Sequence, residues 1–167
     1  SNNAQGEYYL TDVTAMAVDA GLHIETRQPA HAWEVDGVND RVQLSRLERI
    51  FQRVQAEKLM RAGVTLADPA RLDVRGEVVT GTDLFIDANV LLEGKVTLGS
   101  NVRIGPNVVI RNSEIGDGTV IEANSHIDGA VIAADCQVGP FARVRPGSNF
   151  ARKAKVGNFV ETKKAVV

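Results

Sequence analysis

The chain has 167 residues, room for one ordinary domain or two small pieces, and a net charge of −2, which argues neither for nor against an anionic partner. The apolar share of 44% and charged share of 24% are those of a folded soluble protein, and the 5% of aromatics suits a narrow core of Val, Ile, Leu and Ala. Cys136 is the single cysteine, which excludes an intrachain disulfide and fits a reducing compartment; with no secretory leader and no apolar run near eighteen residues, nothing points to export or membrane insertion.

Residues 1–38 read as the C-terminal remnant of an α/β domain. Thr11-Asp12 caps a short helix with Val13, Met16 and Ala17 on one face, and Gly21 stops it. Leu22-His-Ile24 and Trp33-Glu-Val35 read as two strands. One helix and two short strands bury too little to stand alone. Residues 39–63 read as a connector helix, capped by Asn39-Asp40 and ended by Gly63. Its apolar stripe is Leu44, Leu47, Phe51, Val54 and the stem of Lys58, widened by Ile50 and Leu59, with five arginines on the other face. A rigid connector is the simplest role; a partner-binding face is the alternative.

Residues 64–167 read as a solenoid, entered through an Asp68-Pro69 turn. From Thr80 onward a six-residue phrase repeats. An aliphatic residue opens it and a small or β-branched residue follows four places later, as in Ile86-Asp-Ala-Asn-Val90-Leu and Ile104-Gly-Pro-Asn-Val108-Val. Three phrases make 18 residues and one triangular turn, a hexapeptide β-helix of about five turns between Thr80 and Val167. Two slips, at 110–114 and 127–131, each drop one residue and are absorbed at a corner. Cys136 falls at a fifth, inward place and reads as packing. No cap follows the last phrase, so both ends read as cut from a longer protein.

Charge is unevenly spread. Residues 66–142 hold eleven acids and five bases, whereas residues 143–167 hold seven bases and one acid, Glu161. Either an anion site or a solvated basic edge fits that asymmetry. The period acts as a ruler here. Arg145 and Lys163 are 18 apart with no slip between, so they stack at the strand spacing of about 4.8 Å. Two cations at that distance repel unless an anion lies between them, and a phosphate accepts from both. Arg143 and Glu161 stack in the same way and read as a surface ion pair. His23, His31 and His126 read as surface or loop residues.

Three stretches, in order, carry a family resemblance: Asn2-Asn-Ala-Gln-Gly-Glu-Tyr-Tyr-Leu-Thr-Asp12; Glu34-Val-Asp-Gly-Val-Asn-Asp40 running into Leu44-Ser-Arg-Leu-Glu48; and Gly139-Pro-Phe-Ala-Arg-Val-Arg-Pro-Gly147 followed by Gly157-Asn-Phe-Val-Glu-Thr-Lys-Lys164. The chain resembles, over essentially its whole length, the bacterial bifunctional enzymes that join a glucosamine-1-phosphate acetyltransferase to an N-acetylglucosamine-1-phosphate uridylyltransferase. The resemblance implies a mixed α and β chain. It comprises the end of a Rossmann-like nucleotidyltransferase domain, a connector helix and a left-handed parallel β-helix, within a cytoplasmic homotrimer that binds neither nucleic acid nor membrane. It further implies acetyl-CoA and UTP as co-substrates, Mg²⁺ as metal, UDP-N-acetylglucosamine as product, and a place in peptidoglycan and lipopolysaccharide synthesis.

Carried over residue by residue, Asn39 matches a Mg²⁺ and nucleotide-sugar ligand, a role compatible with helix capping. Tyr9 and Thr11 match positions lining the N-acetylglucosamine pocket; from the residues alone Tyr9 is a core or surface side chain. Arg145 and Lys163 match the cations holding the sugar phosphate. Glu161 matches a carboxylate orienting a catalytic histidine that lies after Val167 in the family. Neither active site is complete, so the 167 residues alone are expected to catalyse neither reaction. A nucleotidyltransferase with a non-catalytic β-helix and a non-enzymatic trimeric scaffold are the alternatives.

Overall fold

The computed structural model describes Gly6 and residues 9–167, in two compact units, Ser1–Asn39 and Asp40–Val167. Asn2–Gln5, Glu7 and Tyr8 of the first resemblance stretch lie outside the described residues.

In the first unit, α1 (Asp12–Asp19) ends in a Schellman motif: Leu22 N–H bonds Ala17 O and Gly21 N–H bonds Val18 O, each at 2.9 Å, with Gly21 at φ 69°. Gly21 is therefore the stop read from the sequence. Thr11 occupies the N-cap, but its backbone is helical and its hydroxyl makes no capping bond, so the expected Thr cap is positional only. The two expected strands do not form. Residues 22–24 have no regular structure, and Ala32–Val35 is a 3₁₀ turn whose Glu34 carboxylate accepts from His31 N–H at 3.1 Å. A strand needs a paired neighbour for its backbone groups, and no described residue supplies one.

The second unit opens with α2 (Arg41–Arg61), capped by the Asp40 carboxylate accepting from Gln43 N–H at 2.8 Å. Gly63, at φ 99°, follows its end. The solenoid strands follow: β1 (Val64–Leu66), β2 (Leu72–Thr80), β3 (Leu84–Ile86), β4 (Val90–Leu98), β5 (Arg103–Ile104), β6 (Val109–Arg111), β7 (Glu114–Ile115), β8 (Val120–Ile121), β9 (His126–Asp128), β10 (Val131–Ile132), β11 (Gln137–Val138), β12 (Arg143–Val144), β13 (Asn149–Phe150), β14 (Lys155–Val156) and β15 (Glu161–Thr162). All pairs are parallel. One face stacks β1, β3, β5, β8, β11 and β14; the last five are the turns expected after Thr80, and β1 adds a sixth. The other two faces share the long strands β2 and β4, which bend at Gly76 and Gly94. Beyond that bend β6, β9, β12 and β15 stack on one side and β7, β10 and β13 on the other. The bends need glycine: a Cβ on Gly76 would stand 2.2 Å from Gly94 O, and one on Gly94 would stand 2.1 Å from Asn112 Oδ1.

The register shows both slips. Val90 lies opposite Leu72 and Val109 opposite Leu91, an offset of 18. Across the first slip His126 lies opposite Val109, and across the second Arg143 lies opposite His126, an offset of 17 each time. Beyond both, Glu161 lies opposite Arg143, again 18. Phrase-opening residues such as Ile86, Leu92, Ile104 and Ile121 and fifth-place residues such as Val102, Val108 and Cys136 form the buried core. Ser113, Thr119, Ser125 and Ser148 also point inward, and each hydroxyl bonds backbone, as Thr119 Oγ1 does with Ala133 O at 2.9 Å. Two places depart from the pattern: Phe150 brings a ring into a core expected to hold none, and Val160 is 39% exposed at a fifth place.

Of the apolar stripe read for α2, only Leu59 lies on its buried side. Gln52, Ala56 and Leu59 are buried, whereas Leu44, Ile50, Phe51 and Val54 are exposed and Leu47 is half-buried. Gln52 explains the choice. Its Oε1 accepts from Val74 N–H at 2.7 Å and its Nε2 donates to Val74 O at 2.9 Å. The side chain thus satisfies both backbone groups of one residue on the unpaired edge of β2. Arg49 adds an ion pair to Asp73 at 2.8 Å. The helix caps the first turn of the solenoid.

A charged face of the solenoid as candidate functional site

On the face formed by the first half of β4 with β6, β9, β12 and β15, alternate residues point outward in two columns. One runs Asp73, Leu91, Val109, His126, Arg143, Glu161. The other runs Arg75, Glu93, Arg111, Asp128 by direct register, and continues to Arg145 and Lys163, each one place beyond the pairs Ile127–Val144 and Val144–Thr162. Signs in this second column alternate up to Arg145, and the alternation fails between Arg145 and Lys163.

Some of these neighbouring opposite charges pair. Arg111 Nε stands 3.0 Å from Glu93 Oε2, and Arg75 Nη2 stands 3.2 Å from Asp73 Oδ2. Near the end, Glu161 lies between two guanidinium groups. Its Oε1 is 3.4 Å from Arg145 Nη1 and 3.8 Å from Arg143 Nε. The Arg143–Glu161 pair read from the period is therefore present, but longer than the bond Glu161 makes to Arg145. Lys163 is exposed and has no side-chain partner among the described residues. One carboxylate thus faces three cations.

The other candidates belong to the first unit. Tyr9 is 43% exposed, and its carbonyl accepts from Asp12 N–H at 3.0 Å where α1 begins. Thr11 is exposed at the N-cap, and Asn39 directly precedes the residue that caps α2. Arg143, Arg145, Glu161 and Lys163 come together; Tyr9, Thr11 and Asn39 are in another unit. Among the described residues, no group of three or more His, Cys, Asp or Glu side chains could hold a metal.

His126, read as a surface or loop residue, is a strand residue: it lies within β9 in the outward-pointing column, half-buried, with Asp128, Arg143, Val144, Arg145 and Pro146 around a cleft of about 270 Å³. Burial, helped by the neighbouring Arg111 and Arg143 charges, holds its imidazole below the usual histidine range. A signal was in the sequence: counting 17 back from Arg143, across the second slip, lands on His126. His23 is exposed in a loop, and His31 is exposed and stacked on Trp33, as expected.

The comparisons with known proteins agree with this architecture. The model of the family described as "GMPPB C-terminal domain" matches residues 74–167. Over its whole length the chain is 60% identical to the bifunctional protein GlmU of Marinobacter nauticus, covering 37% of that protein. It is 58% identical over 165 residues to GlmU of Stutzerimonas stutzeri and 56% identical over 167 residues to that of Paraburkholderia xenovorans, covering 36% and 37% of them. The chain thus spans a little over a third of the length of the curated relatives it matches. With more than half of its residues matched and the parallel solenoid present across the same stretch, the chain belongs to the GMPPB C-terminal domain family.

Proposed function

We propose that this chain is part of a bifunctional sugar-nucleotide enzyme. The whole protein acetylates glucosamine-1-phosphate with acetyl-CoA, then transfers UMP from UTP to give UDP-N-acetylglucosamine. The observation that carries the reading is the break in charge alternation at Arg145–Lys163. A solvated salt-bridge ladder has no reason to end in two stacked cations, whereas a phosphate between them accepts from the guanidinium fork and the ammonium together. Glu161 holds Arg145 in place in the free protein and stands ready to orient a base. Similarity to proteins called bifunctional protein GlmU supports the reading along the full chain.

The nucleotidyl half of the activity involves Tyr9, Thr11 and Asn39 at the nucleotide sugar, with Asn39 also toward Mg²⁺. An amide oxygen suits that hard ion, and one such ligand fits a metal held otherwise by phosphates and water. The protein works as a cytoplasmic homotrimer. The buried free thiol of Cys136 is consistent with that location. Sedimentation tests the assembly: the expected mass is three times 18.0 kDa, and a monomer at working concentration contradicts it. Calorimetry with glucosamine-1-phosphate tests the site. Binding that weakens in both Arg145→Ala and Lys163→Ala is expected; binding indifferent to both overturns the assignment.

A further inference from the structure

The aliphatic column beneath the charged face changes chemistry at its last step. In direct register it runs Val74, Leu92, Ile110, Ile127, Val144, Thr162. Threonine is β-branched like valine, so packing alone gives no reason for a hydroxyl at the end of that column. Thr162 Oγ1 stands 3.3 Å from Ser148 Oγ, and Ser148 is buried. Ser148 Oγ in turn donates to Arg145 O at 2.8 Å. A serine hydroxyl has one proton, and here it goes to Arg145, so Thr162 is the donor between the two hydroxyls. Arg145 N–H donates to Thr162 O at 2.9 Å. The bonds close a ring, from the Thr162 hydroxyl through Ser148 to the Arg145 carbonyl, and from the Arg145 amide back to the Thr162 carbonyl.

The other buried hydroxyls are connected differently. Ser113 Oγ also donates to a carbonyl just before it, Arg111 O at 2.6 Å, but accepts from the Ala130 N–H at 3.1 Å. Thr119 and Ser125 accept from the N–H groups of Cys136 and Ala142, at 3.2 and 3.3 Å. Each of these bonds ties a turn to backbone 17 residues on. Ser148 is tied instead to a side chain, that of the residue directly before Lys163. β12 and β15 pair over two residues, and Arg145 and Lys163 stand one place past that pairing. A hydrogen bond to an oxyanion tolerates a narrow range of distance and angle, so two cations share one phosphate well only when their backbones are held at a fixed separation. We propose that Ser148 and Thr162 are positioning residues for phosphate recognition: their hydroxyls fix the backbone of Arg145 against that of Thr162 and so set the separation from which Arg145 and Lys163 reach one anion. The inference rests on the assignment of a sugar phosphate to that edge and adds the means by which the edge is held.

The test pairs calorimetry, with glucosamine-1-phosphate and unphosphorylated glucosamine as probes, with thermal melting of the same 167-residue chain. Thr162→Val continues the aliphatic column and leaves Ser148 its bond to Arg145. It is expected to hold or raise the melting temperature while weakening the phosphorylated sugar by about threefold and leaving glucosamine unchanged. Thr162→Ser keeps the hydroxyl and is expected to keep the parent's affinity. Ser113→Ala, which breaks the matching bond to Arg111 away from the edge, is expected to lower the melting temperature and leave both sugars unchanged. The affinity lost on Lys163→Ala should also be smaller in Thr162→Val than in the parent, because the ammonium is then already out of place. A parent that prefers the phosphorylated sugar, with Thr162→Val binding it as tightly, overturns the positioning role alone. So does an equal loss from Lys163→Ala in both backgrounds, or a loss in Thr162→Ser as large as in Thr162→Val. A parent that binds both sugars alike overturns the edge assignment itself, and the positioning role with it.

Discussion

The two ends of one solenoid face make different use of the same residue types. Toward the N-terminus, Arg75, Glu93 and Arg111 alternate in register, and Arg111 closes on Glu93 at 3.0 Å. Toward the C-terminus, Arg143 and Arg145 share Glu161, and Lys163 has no side-chain partner among the described residues. The backbone, the spacing and the apolar core beneath are the same in both. What differs is whether the charges are satisfied within the chain. Half-exposed pairs like Arg111–Glu93 contribute little to stability, typically under about 1 kcal/mol, so the first region is a solvated surface. The second holds surplus positive charge in fixed geometry, which is what a binding site requires.

The core under both regions should give the largest effect when damaged. Ile110, wholly buried beneath β6, cut back to Ala is expected to lower unfolding free energy by about 2–5 kcal/mol in urea. A loss well under 1 kcal/mol would mean the turns are not packed as described. Next in size is binding. Arg145→Ala should weaken glucosamine-1-phosphate by about 1.5–3 kcal/mol, the worth of a charged hydrogen bond, while Arg111→Ala leaves it unchanged. Equal losses would erase the contrast between the ends. Smaller still, Arg111→Ala should cost at most about 1 kcal/mol of stability, with the cost shrinking in high salt.

The pH effect at His126 sharpens the boundary between the regions. Its folded pKa lies below the unfolded value of 6.5, through burial first and then Arg111 and Arg143, opposed by Asp128 and Glu93. The unfolded chain therefore binds the proton more readily. The contribution is fully present above 6.5 and is lost as pH falls from there through the folded pKa. Melting temperature should drop on acidification in that window, and drop less in His126→Leu. The same slope in both would show that His126 does not titrate differently on folding.

Much of this was legible in the sequence because the solenoid is local and periodic. The phrase opened by Ile86 or Ile104 fixes which side chains point inward, and two one-residue slips predict the offsets of 17 seen at His126 and Arg143. The first unit was less legible. Leu22–Ile24 and Trp33–Val35 carry strand-like residues, but a strand is made by its neighbour, which no local pattern supplies. The helix α2 misled in another way. Leu44, Phe51 and Val54 mark an apolar stripe, yet Gln52 decides the contact by bonding the backbone of Val74. A glutamine among arginines carries no hydropathy signal for that role. In the site, Arg143–Glu161 and the stacking of Arg145 with Lys163 followed from spacing, whereas the half-buried position of His126 depends on what its neighbours cover.

Glucosamine-1-phosphate and unphosphorylated glucosamine, titrated in parallel into the parent chain and into Lys163→Glu, test the surplus-charge site most directly. The phosphorylated sugar should bind the parent more tightly by about tenfold or more, and charge reversal should abolish that preference. A parent that does not distinguish the two sugars, or a Lys163→Glu variant that keeps the preference, would contradict the assignment of the phosphate to this edge.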